Sequence, residues 1–126
     1  MAFIDIDNDI GLQLGTFAFS FKASGDIKRG QAVTLVGDNT VAAVSASSQN
    51  AIGVADYDAS DGEMVAIYCA GNIVRCGISG TSIPSVGDTV GAFKDGYLTT
   101  STGGRVCGII VEAPSSNPGV AKVLLI

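Results

Sequence analysis

The sequence predicts an all-β fold, a small barrel or sandwich built from two copies of one strand unit. Three observations carry that prediction. First, the chain repeats itself. Ile27-Lys28-Arg29-Gly30-Gln31-Ala32-Val33 is answered by Ile83-Pro84-Ser85-Val86-Gly87-Asp88-Thr89-Val90, each opening on isoleucine, reaching a turn glycine and entering a strand through valine. Gly37-Asp38-Asn39 is answered by Lys94-Asp95-Gly96, and Ala51-Ile52-Gly53-Val54-Ala55 by Val106-Cys107-Gly108-Ile109-Ile110. The glycine of the apolar run lies 23 residues after the turn glycine in the first half (30 to 53) and 21 after it in the second (87 to 108), a difference one loop absorbs. Second, short apolar runs recur about every 10 residues with Gly, Asp or Asn between them, the spacing of a barrel or sandwich. Third, no stretch carries an amphipathic 3.6-residue period, so helix is limited to a turn or two.

Taken in order, residues 1–24 differ in pattern from the rest of the chain. Phe3, Ile4 and Ile6 are interspersed with acidic residues, and Asp5, Asp7 and Asp9 alternate along one side of an extended segment. Thr16-Phe17-Ala18-Phe19-Ser20-Phe21-Lys22 then alternates strictly, placing three aromatics on one face of a strand that needs cover. Residues 1–12 read as an arm and 14–22 as a strand, so the chain divides into an N-terminal arm with first strand, 1–24, and a β-barrel-like domain, 25–126. Strands are expected at 33–36, 40–44, 51–56, 63–70, 73–78, 89–93, 97–100, 106–112 and 120–126. The Ser/Thr/Gly/Asn-rich connections 45–50 and 99–104 fall at equivalent places in the two halves and read as exposed loop tips. Residues 56–62 and 114–119 form a second pair of loops.

The 126 residues suit one domain with a modest core. Hydrophobic residues make up 47% and charged residues 15%, so few charges are left to solvate the surface; self-association, a partner, or simply a small-residue β-domain would answer that balance. Seven basic residues against twelve acidic ones, clustered no further than Lys28-Arg29, disfavour nucleic acid, which is held by many Lys and Arg contacts to phosphate. No apolar run approaches the roughly 18 residues of a membrane-spanning helix, and the first residues lack the basic start and apolar stretch of a secretory signal. Folding in a cytoplasm is therefore expected.

Chemistry is scarce. The chain has no histidine, which removes the Ser-His-Asp and Cys-His arrangements and the usual nitrogen ligand for zinc or copper. Asp56, Asp58, Asp61 and Glu63 resemble a fragment of a calcium loop but lack its full order, and an acidic turn explains them without a metal. No glycine group forms a phosphate loop joined to a helix. Tyr57, Tyr68 and Tyr97 are too scattered for an aromatic platform. Cys69, Cys76 and Cys107 read as reduced thiols; a bridge between Cys69 and Cys76 would need an oxidising compartment. No catalytic residue, cofactor or metal is assigned.

From Gly25 the order Gly-Asp-Ile-x-x-Gly-Gln-Ala-Val-Thr-Leu-Val-Gly-Asp-Asn-Thr-Val, then Ala51-Ile52-Gly53-Val54-Ala55 and Asp61-Gly62-Glu63-x-Val65-Ala66-Ile67, resembles the capsid cement, or head decoration, proteins of tailed viruses. Val86-Gly87-Asp88-Thr89-Val90, Asp95-Gly96-Tyr97-Leu98, Arg105-Val106-Cys107-Gly108-Ile109 and Ala121-Lys122-Val123-Leu124-Leu125 continue it. The resemblance implies a β-barrel-like structural protein, not an enzyme, on the outer surface of an expanded icosahedral capsid. It further implies a homotrimer seated where major capsid protein subunits meet, with no nucleic acid or membrane partner. None of these motifs lies in the N-terminal segment. It supplies the expected interface, Phe3, Ile4, Ile6, Phe17, Phe19 and Phe21, as a strand that augments a capsid sheet or swaps between subunits. The alternative is another virion or cell-surface binding module, such as a fibre or carbohydrate-binding β-domain. An enzyme working with carboxylates alone is a further rival, and the sequence offers it only acids borne on turns.

Overall fold

The computed structural model describes residues 18–126, which form ten strands and, within that span, no helix. They are β1 (Ala18–Ala23), β2 (Ala32–Gly37), β3 (Thr40–Ala43), β4 (Ala51–Ala55), β5 (Met64–Tyr68), β6 (Ile73–Ile78), β7 (Thr89–Ala92), β8 (Leu98–Thr99), β9 (Val106–Glu112) and β10 (Gly119–Leu125). The strands close into two five-stranded barrels in the orders β1-β3-β2-β4-β5 and β6-β8-β7-β9-β10. Each barrel is one sequence repeat, with the strands in the same order. In both, the first strand pairs antiparallel with the last and parallel with the third, through Lys22 and Ala23 opposite Thr40 and Val41 in one barrel and Ile78 opposite Leu98 in the other.

The equivalence extends to single residues. The β2–β3 and β7–β8 hairpins turn through Asn39 (φ 52°) and Asp95 (φ 56°), residue types whose short polar side chains tolerate the left-handed region. Val33 sits opposite Gly53 on β4 and Val90 opposite Gly108 on β9, and the register shifts immediately after each valine. One partner residue, Ile52 or Cys107, is left over at each shift. Such bulges bend a strand and help a five-stranded sheet to close. A Cβ at Gly53 would collide with the Tyr68 carbonyl and the Ile67 side chain, and one at Gly108 with the Val123 side chain. The glycine in each apolar run therefore lets β4 lie tightly on β5 and β9 on β10.

Alternation on the strands fills the barrels. Ala23, Ile27, Val33, Val41, Ala55, Ala59, Val65 and Ile67 form the core of the first, with Phe21, Ile52 and Cys69 packed against it. The second core centres on Ile78, Val90, Leu98, Ile110, Val123 and Leu125 and also takes in Ala32, Val44, Ala51 and Val54 of the first repeat. One apolar cluster thus runs from inside the second barrel into the seam between the two. Backbone hydrogen bonds stitch the same seam: Ala32 N–H to the Gly96 carbonyl (2.8 Å), Gly96 N–H to Val44 (2.8 Å) and Gly77 N–H to Gly30 (3.2 Å).

The connections 45–50 and 99–104, expected as separate exposed tips, meet each other. Gly103 N–H donates to the Ser47 carbonyl (2.9 Å), which also accepts from the Thr102 hydroxyl (3.2 Å). Arg105 completes the join. Its N–H donates to Asn50 Oδ1 (2.8 Å), and its guanidinium donates to the carbonyls of Ala51 (3.2 Å) and Ile126 (2.6 Å). Polar loop composition predicts competition for backbone groups, and here the partner is the equivalent loop of the other repeat.

Candidate functional site

Of the six interface residues expected from sequence, Phe3, Ile4, Ile6 and Phe17 lie outside the described residues. Phe19 and Phe21 sit on β1, which β5 holds in register from Ala18 opposite Tyr68 to Lys22 opposite Met64. Alternation sends both rings to the same side. Phe21 packs against the first core, whereas Phe19, nearer the barrel mouth, leaves 56% of its surface in solvent. Along Ala18–Phe21 no described strand pairs with the other edge of β1, because β3 joins only at Lys22 and Ala23.

The acidic loop is stitched into turns. Asp61 Oδ1 accepts the Gly25 N–H (2.7 Å), Asp58 Oδ1 the Arg29 N–H (2.8 Å), Glu63 Oε1 the Ser60 N–H (2.6 Å), and Asp26 Oδ1 the Asp61 N–H (3.1 Å). These carboxylates hold the 24–31 and 56–63 loops together, the structural work an acidic turn performs. No group of His, Cys, Asp or Glu among the described residues is placed to hold a metal ion.

All three cysteines are free. Burial pushes the Cys76 thiol up to about 12, with Cys107 nearby adding to the rise. Burial likewise pushes Cys107 up to about 11, against the opposing effect of Arg105. Burial raises Cys69 as well. Each therefore stays a protonated thiol near neutral pH, the wrong form for a nucleophile.

A groove of about 810 Å³ separates the barrels. One wall is the turn 28–31 with Asp56 and Tyr68; the other is the outward face of β6 and the start of β10. The burial alternation of β6 hides Val74, Cys76 and Ile78 and turns Ile73, Arg75 and Gly77 outward, with the Tyr97 ring against Gly77. Lys28, Arg29 and Arg75 converge here, three of the chain's seven basic residues. Asp56 and Asp95 also line the groove, and Asp56 holds the Tyr68 hydroxyl above its usual pKa by hydrogen bonding. At one end Ile73 and Val120 are 58% and 61% exposed. Sequence inspection finds the Lys28-Arg29 pair but not the groove, because Arg75 belongs to the other repeat. The alternation of 73–78, which turns Arg75 outward, is the signal that could have found it.

Carboxylates of the 24–31 and 56–63 loops are thus engaged in turns, and the Cys76 and Cys107 thiols are buried. The sequence matches the family model described as "Phage cement protein" over residues 13–125. The chain belongs to that family. This cement protein is accordingly a structural, capsid-associated component of a phage virion. No curated protein sequence matches it. Among solved structures it is similar to the head fiber gp8.5 N base of bacteriophage phi29, at TM-score 0.64 and 21% identity, covering 88% of this chain and 94% of that one. That likeness establishes a shared fold.

Proposed function

We propose that this cement protein binds the outer surface of an expanded icosahedral phage capsid through the major capsid protein, as a homotrimer, and stabilises the shell against its packaged genome. The observation that carries the reading is the family match across 13–125. Physical features agree with it: two closed barrels with filled cores, few charges, and large apolar side chains held in solvent at Phe19, Ile73 and Val120. The N-terminal segment, with Phe3, Ile4, Ile6 and Phe17 leading into Phe19 and Phe21, is assigned as the attachment element. Linked copies would bind a repetitive shell by summing weak contacts.

The test mixes the purified chain with expanded heads lacking it and measures co-sedimentation and stoichiometry per capsid subunit. Saturation at a fixed ratio to capsid subunits is expected. The likeness to a phage head fiber base favours a second reading, in which the barrels form the foot of a fibre. Absence of binding at micromolar concentration would reject attachment to the shell. Removing residues 1–12 should weaken co-sedimentation while leaving the barrels folded, since β1 begins at Ala18. Unchanged occupancy by the shortened chain would reject the attachment role of that segment.

A further inference from the structure

The inter-barrel groove exposes the edge of a strand. Every residue from Ile73 to Gly77 lines it, the buried Val74 and Cys76 as well as the outward Ile73, Arg75 and Gly77, so the backbone of β6 forms part of its wall. On one edge β6 is paired with β10 along its whole length, whereas on the other β8 joins only at Ile78. On that second edge Gly77 N–H donates to the Gly30 carbonyl (3.2 Å) and Ser79 N–H to the Leu98 carbonyl (3.0 Å). Backbone groups of alternate residues point to the same edge of a strand, so Ile73 and Arg75 direct theirs as Gly77 does. A Cβ placed on Gly30 would lie 3.8 Å from the Arg75 carbonyl oxygen, which agrees with that direction. Gly30 thus closes the edge at its Gly77 end. Beyond it the N–H and C=O of Ile73 and the N–H of Arg75 have no hydrogen-bond partner among the described residues, and Ile73 is 58% exposed.

An unpaired edge is a template for another extended chain, and the charge around this one selects which. Lys28, Arg29 and Arg75 face two carboxylates in the groove, Asp56 and Asp95, an excess of one cation. Among the described residues the only ion pair is Lys122 with Glu112 (3.6 Å). Arg75 stands opposite Lys122 in the β6–β10 ladder, and like charges in facing strand positions repel. A second copy pairing its own β6 edge about Arg75 would set arginine against arginine, which disfavours pairing between copies. A strand with a carboxylate facing Arg75 would instead offset the repulsion from Lys122, and an apolar side chain two residues away, on the same face, would cover Ile73. We propose that the β6 edge takes an extended segment of a partner protein as an added strand, with an acidic side chain beside Arg75 and an apolar one beside Ile73. The segment lies in the groove between β6 and the wall of Asp56 and Tyr68, and its main chain bonds the open groups of Ile73 and Arg75. This docking holds or fails independently of attachment to the capsid.

The test titrates the full chain, labelled with heavy nitrogen, with an end-capped peptide, Thr-Ile-Thr-Asp-Thr-Ile-Thr, and follows the backbone amides by NMR. The peptide reads the same in both directions, so it serves parallel and antiparallel pairing alike. Saturable shifts at Ile73 to Gly77 are expected, with slowed hydrogen exchange at the Arg75 N–H. Replacing the peptide's Asp with Lys should weaken binding about fivefold, as should Arg75→Gln in the protein. Methylating the peptide's backbone nitrogens keeps its side chains but removes its donors, and should abolish binding. The peptide variants leave the protein untouched, so the outcome does not hang on the folding of Arg75→Gln. No shift at millimolar peptide, shifts confined to the open edge of β1 at Ala18 to Phe21, or equal binding by the lysine or methylated peptide would overturn the proposal. So would slow exchange at Ile73 and Arg75 in the peptide-free chain. Slowing that grew with protein concentration would put a second copy on the edge, and slowing independent of it would put the chain's own residues there.

Discussion

Gly53 and Gly108 lie where one strand packs tightly on the next, and at both positions even one methyl group has no room. Gly53→Ala and Gly108→Ala should each cost about 1–3 kcal/mol, read as a lowered denaturation midpoint, as overpacking a tight contact does. Gly103→Ala, whose new methyl would lie 3.5 Å from the Ser47 carbonyl oxygen, should cost far less. The internal repeat pairs Gly53 with Gly108, but the cause was not legible there, because the colliding groups lie 15 or so residues away on the next strand. The thiols give a prediction in pH. Cys76 and Cys107 are raised in the fold from an ordinary value of 9.0, so above pH 9 the unfolded chain loses protons that the folded chain keeps. Stability is therefore fully present below pH 9 and falls as pH rises toward 11, by up to about 1.4 kcal/mol per pH unit for each thiol. Denaturant midpoints measured from pH 8 to 11 should show the decline, and Cys107→Ala should reduce its slope.

At the level of elements, β2 to β10 were legible to within a residue or two, because alternation and turn chemistry act locally, while the start of the first strand, expected at 14, lies outside the described residues. The meeting of loops 45–50 and 99–104 was not, since hydroxyl and amide side chains mark a loop without naming its partner. Arg105 shows what that partner is worth. Replacing it with Met keeps much of the aliphatic stem but removes the guanidinium bonds to Ala51 and Ile126, and should cost about 1–3 kcal/mol in a denaturant titration. Asn50→Ala removes the acceptor for the Arg105 N–H on the same join, so the two changes together should depart from additivity by at least about 0.5 kcal/mol. On β8, only two residues long, Leu98 is fully buried in the second core. Leu98→Ala should cost about 2–5 kcal/mol by leaving a cavity.

For the molecule as a whole, duplication of an all-β unit could be read from the order of short motifs. That each unit closes on itself, making two barrels with a groove between, depends on pairings such as β1 with β5 that no local pattern specifies. The shared apolar cluster argues that the barrels stand or fall together. Ala32, Val44, Ala51 and Val54 of the first repeat would lose their cover if the second unfolded. Thermal unfolding should give one transition with calorimetric and van't Hoff enthalpies in agreement; two separated transitions would contradict the shared core.

The pairing of β10 carries a mechanical consequence. This strand is bonded on both sides, to β6 from Gly119 through Leu124 and to β9 from Lys122 through Leu125. A pull along its axis loads those rows in shear, so many bonds must yield together instead of peeling one by one. Resistance to force is set by the unfolding rate and not by equilibrium stability. If the protein stabilises a pressurised shell as proposed, its hold depends on that rate, and closing each barrel onto its last strand is a direct way to slow it.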